Sequence, residues 1–272
     1  MNAVMIAIFR ASSIVFALYF MGAAIFGEAF AETNFPLDEE DQINLRCLKR
    51  AYPQIRSLVK NGDGSIDLLM DDGKLSPYKS AVGGGDVFAS MRQIYPLEPN
   101  RPDIDDGFAP GRDRPYDLFD ALYGSMPSEV QKNLKTVALP RGKASLNKNA
   151  ARALASIVPE LDSLAREHPE LRKYLKVDGG YYWRNIAGED RRSAHSYGIA
   201  IDLGAASAPY WRWAKKPRHP LQKTYPRELV EVMEKAGFIW GGKWDKYDLM
   251  HFEYRPELIC KSRELLNREL IK

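Results

Sequence analysis

The sequence predicts an α+β fold: a small, mostly antiparallel sheet flanked by helices, with a loop-rich N-terminal extension. Three observations predict it. After about position 126, stretches of helical apolar spacing mix with short apolar strands, without the regular strand–helix–strand alternation of a parallel sheet. Residues 32–125 are instead dense in Gly and Pro turn signals. The length, 272 residues, suits one domain with an extension, or two small domains.

The first element reads as an export signal. Arg10 precedes an uncharged apolar run from Ile14 to Phe26, and Ala29-Phe30-Ala31 places small residues where a signal peptidase reads. An uncleaved anchor is the alternative, but the run is shorter than the ~20 residues a spanning helix needs. The expected organisation is therefore a signal peptide over 1–31, an accessory region over 32–125 and a catalytic domain over 126–272. The mature chain would begin at Glu32, lie in the periplasm or outside the cell, and contain no membrane span.

Within the accessory region a helix is expected over Asp41 to Lys60, interrupted at Pro53. Turn signals follow at Asn61-Gly62, Asp63-Gly64, Asp72-Gly73 and Gly83-Gly84-Gly85, and then Pro96, Pro99, Pro102, Pro110 and Pro115. Asn61-Gly62-Asp63-Gly64-Ser65 opens like a calcium loop. Ile66 stands where that loop needs Gly and Asp72 where it needs Glu, so a β-turn is the better reading.

Beyond it, Asn147 to His168 carries apolar residues at helical spacing, with Pro159 set to kink or divide the helix. A further helix is expected with Thr224 or Tyr225 as its cap, Pro226 in its first turn and Gly237 as its stop. Its core face would be Leu229, Val232, Met233 and Ala236. Ile199–Leu203, Phe238–Trp240 and Met250–Tyr254 read as strands, and Pro256 opens a terminal helix.

Composition excludes more than it assigns. Hydrophobic residues make up 45% and charged residues 28%, as in an ordinary soluble protein, and a net charge of +3 is too weak to argue for nucleic acid. Nothing points to a nucleotide or an organic cofactor, and a monomer is expected. Two cysteines cannot build a four-thiolate metal site. In an oxidising compartment Cys47 and Cys260 could bridge the N-terminal region to the C-terminal helix, or they could be two separate buried thiols.

The chemistry concentrates around two of the four histidines. A catalytic zinc takes three ligands from His, Asp or Glu and keeps one position open. His195, Asp202 and His251 supply that set. His195 and Asp202 share a metal only if the chain folds back between them, and Gly198 suits such a turn. Asp202 lies between Ile201 and Leu203, where an acid is costly unless paired or bound to a metal. Asp248, three residues before His251, is placed to act on a water at the same metal. Two His and one Asp can equally be a satisfied hydrogen-bond network.

Ser193-x-His195-x-x-Gly198-x-Ala200-x-Asp202, then Gly237-Phe238-x-Trp240-Gly241-Gly242-x-Trp244 and Asp248-x-x-His251-Phe252-Glu253, resembles the zinc D-alanyl-D-alanine carboxypeptidase family. That family includes the vancomycin-resistance D,D-peptidases and the L-alanyl-D-glutamate endopeptidases of phage endolysins. The resemblance spans about Val177 to Pro256. Gly111-Arg112-Asp113-Arg114, Leu122-Tyr123-Gly124 and Trp183-Arg184-x-Ile186-Ala187-Gly188 extend it to a branch with its own N-terminal extension.

The resemblance implies the hedgehog/D,D-peptidase-like fold and one zinc per chain on His195, Asp202 and His251. It implies Asp248 as general base, Arg184 as the cation for substrate or oxyanion, and Ser193 as a substrate contact. The substrate would be the peptidoglycan stem peptide. The vancomycin-resistance enzymes carry Glu where Asp248 stands, while the endolysin branch has Asp.

Blander readings stand beside these. Arg184 could be a scaffold residue. Glu253, on the strand face of His251, could be an alternative base, a support for His251, or a backbone partner. Trp240 and Trp244 could wall the substrate site or only pack the core. His168, His219 and Arg212-Trp213-Ala214-Lys215-Lys216 read as solvated, and Tyr197 as a packing residue. Three functions follow: a D,D-carboxypeptidase, an L-alanyl-D-glutamate endopeptidase on the same scaffold, and a non-catalytic wall-binding module.

Overall fold

A computed structural model of the chain describes residues 35–81, 85–98, 104–214 and 216–271. The expected export signal, the Gly83-Gly84 turn, Pro99, Pro102 and Lys215 lie outside the described residues.

The first helix, Glu39–Ala51, starts where the Asp38 carboxylate accepts a hydrogen bond from the Asp41 amide at 2.7 Å. Acidic residues fill its first turn and basic residues its last, as the helix dipole favours. It does not continue to Lys60. Pro53 lacks an amide proton, and after it Ile55 and Leu58 turn inward on a strand. That strand, β1 (Ile55–Lys60), pairs antiparallel with β2 (Ile66–Met70), which pairs with β3 (Leu75–Lys79). The N-terminal region is thus more regular than its turn signals suggest. Asn61-Gly62-Asp63-Gly64 and Asp72-Gly73 are the hairpin connections of a meander. At the first of them the Asp63 side chain accepts from the Ser65 amide and hydroxyl, forming a turn.

The later part follows its periodicity more closely. β4 (Leu134–Leu139) and β5 (Gly142–Asn147) form a hairpin. The expected 147–168 helix is divided at Ile157 into Lys148–Ser156 and Val158–Glu167, with Pro159 in the first turn of the second piece. The helix Arg227–Lys235 begins after Pro226, and neither Thr224 nor Tyr225 gives it a side-chain cap. Leu229, Val230 and Met233 form its buried face, with Val232 and Ala236 half-buried against the same cluster.

β6 (Val177–Gly179), β7 (Ala200–Leu203), β8 (Phe238–Trp240) and β9 (His251–Tyr254) make a sheet in the order β6-β7-β9-β8, antiparallel throughout. The terminal helix, Pro256–Ile271, follows. The architecture is α+β, with small antiparallel sheets and helices on them.

Two apolar clusters hold these elements. One packs helices Lys148–Ser156 and Arg227–Lys235 against Ile201, Phe252 and Trp240 of the sheet. The other joins Leu48, Tyr52, Leu68 and Phe119 to Tyr197, Ile239 and Ile259. Residues on both sides of position 125 therefore share one core. Fully buried side chains of this size contribute about 1.5–3 kcal/mol each. A disulfide between Cys47 and Cys260 ties the first helix to the last, resolving the two alternatives the sequence left open.

Candidate active site

Strands β7 and β9 lie side by side, and their register sets Asp202 opposite His251 and Ala200 opposite Glu253. Ile201, Leu203 and Phe252 are fully buried around them, so Asp202 is an acid on an apolar strand. His195 reaches the same place by a tight turn. Ser193 caps a 3₁₀ turn over Ala194–Tyr197, its hydroxyl accepting from the His195 amide at 3.4 Å. Gly198 then ends the turn at φ 67°. A side chain there would be doubly obstructed. Its Cβ would stand 2.8 Å from the Asn147 nitrogen and 2.9 Å from Leu134 Cδ2.

The result is a compact group. His195 Nε2 lies 3.2 Å from Asp202 Oδ1, and His251 Nδ1 lies 3.1 Å from that same oxygen. Ligand atoms of all three residues fall within 4.8 Å of one another. The far nitrogen of each ring is committed. His195 Nδ1 donates to the Gly180 carbonyl at 2.7 Å, and His251 Nε2 donates to Glu253 Oε2 at 3.3 Å. Neutral imidazoles held this way turn two lone pairs towards a carboxylate oxygen. That arrangement repels unless protons or a cation lie between.

A tetrahedral zinc with bonds of about 2.0–2.1 Å has ligand–ligand edges of about 3.3 Å. The donor set and its spacing fit such an ion. The buried carboxylate behind His251 also matches the support that metal-bound imidazoles characteristically have.

Burial and neighbours pull the acids apart. Burial alone would raise Asp202, but His195 and His251 outweigh it and hold its carboxyl well below the usual range. Burial opposes charge on His251, yet hydrogen bonds to Asp202 and Glu253 push its pKa up to about 9. Asp248 goes the other way. Burial, with help from the Asp202 charge, pushes it up to about 6 against the cations around it. Its Oδ1 is buried with no hydrogen-bond partner among the described residues, and the residue lines the same cavity as His195, Asp202 and His251. A carboxylate free at one oxygen beside a metal-ligand group is fitted to take a proton.

Residues 187–254 match a family model described as D-alanyl-D-alanine carboxypeptidase. Over that segment the chain is similar to this peptidase family. No curated protein and no solved structure matches it. Peptidases of this family are zinc-dependent, in keeping with the His195, Asp202 and His251 group.

The cavity, about 130 Å³, also receives Ser193, Arg184 and Trp244. Arg184 sits on an exposed segment, where Nη1 donates to the carbonyl of Asn185 at 3.3 Å. Trp244 is buried, its Nε1 donating to the Pro110 carbonyl at 2.9 Å. Trp240 does not line the cavity. It is fully buried, stacks on Tyr225 with centroids 4.6 Å apart, and donates from Nε1 to the Leu249 carbonyl at 2.9 Å. Neither His168, which is exposed, nor His219, which is half-buried with Nδ1 accepting from the Leu221 amide, belongs to the metal-ligand group.

Glu253 is fully enclosed. Arg114 grips it with Nε at 3.0 Å from Oε1 and Nη2 at 2.5 Å from Oε2. Burial opposes its charge, but Arg114, His251 and Arg255 hold its carboxyl far below the usual range. Glu253 is thus an ion-paired hydrogen-bond partner of His251.

Sequence reasoning gave no role to Arg112 and Arg114, which line the cavity from the N-terminal region, or to Gly180, whose carbonyl orients His195. The motif Gly111-Arg112-Asp113-Arg114 was visible. Nothing in its spacing says that it folds against a strand about 140 residues later.

Proposed function

We propose that this chain is an exported zinc D,D-carboxypeptidase that removes the terminal D-Ala from peptidoglycan stem peptides. The observation that carries it is the pair of imidazoles, each fixed at its far nitrogen, that turn their near nitrogens to the one oxygen of Asp202 within 3.2 Å. The hedgehog/D,D-peptidase-like fold belongs to the same reading, supported by the antiparallel β7–β9 pair that brings Asp202 to His251.

His195, Asp202 and His251 would hold the zinc. When bound, zinc lowers the pKa of a water and polarises the scissile carbonyl. Asp248 takes a proton from the attacking water and delivers it to the leaving amine. Arg184, at the cavity rim, offers positive charge to the developing oxyanion. Ser193 holds the turn that presents His195, and Trp244 walls the cavity. Glu253 and Arg114 keep Nε2 of His251 protonated and Nδ1 free.

Export is supported by the Cys47–Cys260 disulfide, which persists in oxidising compartments. Among the described residues no helix is long and apolar enough to cross a membrane.

The test is digestion of muropeptides ending in D-Ala-D-Ala, with and without a chelator, read by mass. Chelator-sensitive loss of one D-Ala is expected. Release of the peptide from D-Glu onward, with L-Ala left on the muramic acid, would establish the L-alanyl-D-glutamate endopeptidase instead, and wall binding without cleavage the non-catalytic module.

A further inference from the structure

Three arginines line the cavity, and each is held differently. Arg114 is buried, with Nε and Nη2 engaged in a two-point grip on Glu253. Arg184 stands on an exposed segment with, among the described residues, a neighbouring carbonyl as its side-chain hydrogen-bond partner. Arg112 is half-buried and fixed. Its Nη1 donates to the Lys246 carbonyl at 2.6 Å, and its guanidinium lies 5.2 Å from the Trp244 ring. It forms no ion pair among the described residues.

Backbone geometry makes this placement deliberate. Gly111 has φ 79°, and a Cβ there would stand 2.7 Å from both Ile239 Cδ1 and Leu258 Cδ1. The Gly111 carbonyl accepts from buried Arg255 at 2.6 Å. Arg112 therefore leaves a clamped backbone.

The indole that carries Arg112 also flanks the metal-ligand group, since the Trp244 and His251 rings are 5.7 Å apart. A fixed, unpaired guanidinium at a small cavity is suited to bind a carboxylate at two points. In a peptide cleaved one residue from its end, the terminal carboxylate lies only about 3.6 Å beyond the scissile carbonyl. An endopeptidase substrate has a neutral amide there.

We propose that Arg112 binds the C-terminal carboxylate of the departing residue and so makes the cavity an exopeptidase site. This rests on the peptidase reading of the same cavity. Arg112 is then a specificity residue contributed by the N-terminal region, and the free acid end is what the enzyme selects.

The experiment compares the zinc-loaded full chain on an N-acylated D-Ala-D-Ala peptide and on its C-terminal amide. The wild type should prefer the free acid in kcat/KM by roughly 10–100-fold, the worth of a hydrogen bond to a charged group. In Arg112→Gln that preference should collapse towards unity, with the loss in KM and kcat within about threefold, and Arg112→Lys should recover part of it. No preference in the wild type, or an equal loss on acid and amide in Arg112→Gln, would overturn the inference. If the wild type cleaves neither peptide, the peptidase reading fails separately. Calorimetric binding of the same two peptides then decides: acid-selective binding lost in Arg112→Gln upholds the role, and equal binding of both rejects it.

Discussion

The β7–β9 strand pair and the loop Gly111–Arg114 meet at one cavity from distant parts of the chain, and they do different work there. The strands supply Asp202 and His251, whose donor atoms are dictated by what a metal accepts. The loop supplies Arg112 and Arg114, whose value lies in where tertiary packing puts a positive charge. Arg114 holds Glu253, Glu253 holds His251, and Arg255 links Glu253 to Glu257 and hence to Tyr52 at the end of the first helix. The strand pair brings together a group able to hold a metal, and the N-terminal region holds it in place.

The largest effect should follow from breaking the strand side. Asp202→Ala leaves two imidazoles without their shared oxygen. Metal content after dialysis should fall from about one ion per chain to near none, and hydrolysis to background. Retained stoichiometric metal would show that the ion is held elsewhere.

Asp248→Asn keeps the three ligands and should keep the metal. Its rate should drop about 10²–10⁴-fold, the usual worth of a positioned acid–base group. Single-turnover kinetics with metal quantified in the same sample reads this. Full activity would remove Asp248 from the mechanism.

The loop side is broken by Arg114→Ala, which strands the Glu253 carboxylate in the core. Removing one partner of a buried ion pair costs about 3–5 kcal/mol, and the urea midpoint should fall accordingly. A shift of under about 1 kcal/mol would mean that Arg255 suffices for Glu253.

A smaller effect is a proton. In the metal-free protein His251 is pushed up to about 9 and is therefore charged at pH 7.5. A metal needs the neutral ring, so binding should release about one proton there, and affinity should rise towards pH 9. Calorimetry in buffers of different ionisation enthalpy measures it. The same raised value stabilises the metal-free fold fully below about pH 6.5, and that contribution is lost as pH rises through about 9. Binding with no proton release would contradict the charged state of His251.

The grouping of His195, Asp202 and His251 was legible because their types are rare and their setting is costly. An Asp between Ile201 and Leu203 demands an explanation that a surface Asp does not. Strands 238–240 and 251–254 and the terminal helix were legible from apolar runs and Pro256. The β1–β3 meander was not. Short alternating segments such as Ile66–Met70 carry too few residues for a period to separate strand from helix. Trp240 illustrates another limit. Its neighbour Trp244 reaches the cavity while it points into the core, a difference set by the 3₁₀ turn at Gly241–Lys243 and the pairing of β8. Arg114 was invisible as a support for His251, because a salt bridge across 139 residues leaves no local pattern.

The most direct test of the account is a competitive zinc titration of Glu253→Gln against the wild type at pH 7.5. The account predicts one site per chain in both, with affinity about 10–100-fold weaker in the variant, since Glu253 only orients His251. Equal affinity, or a wild type that binds no zinc, would contradict it.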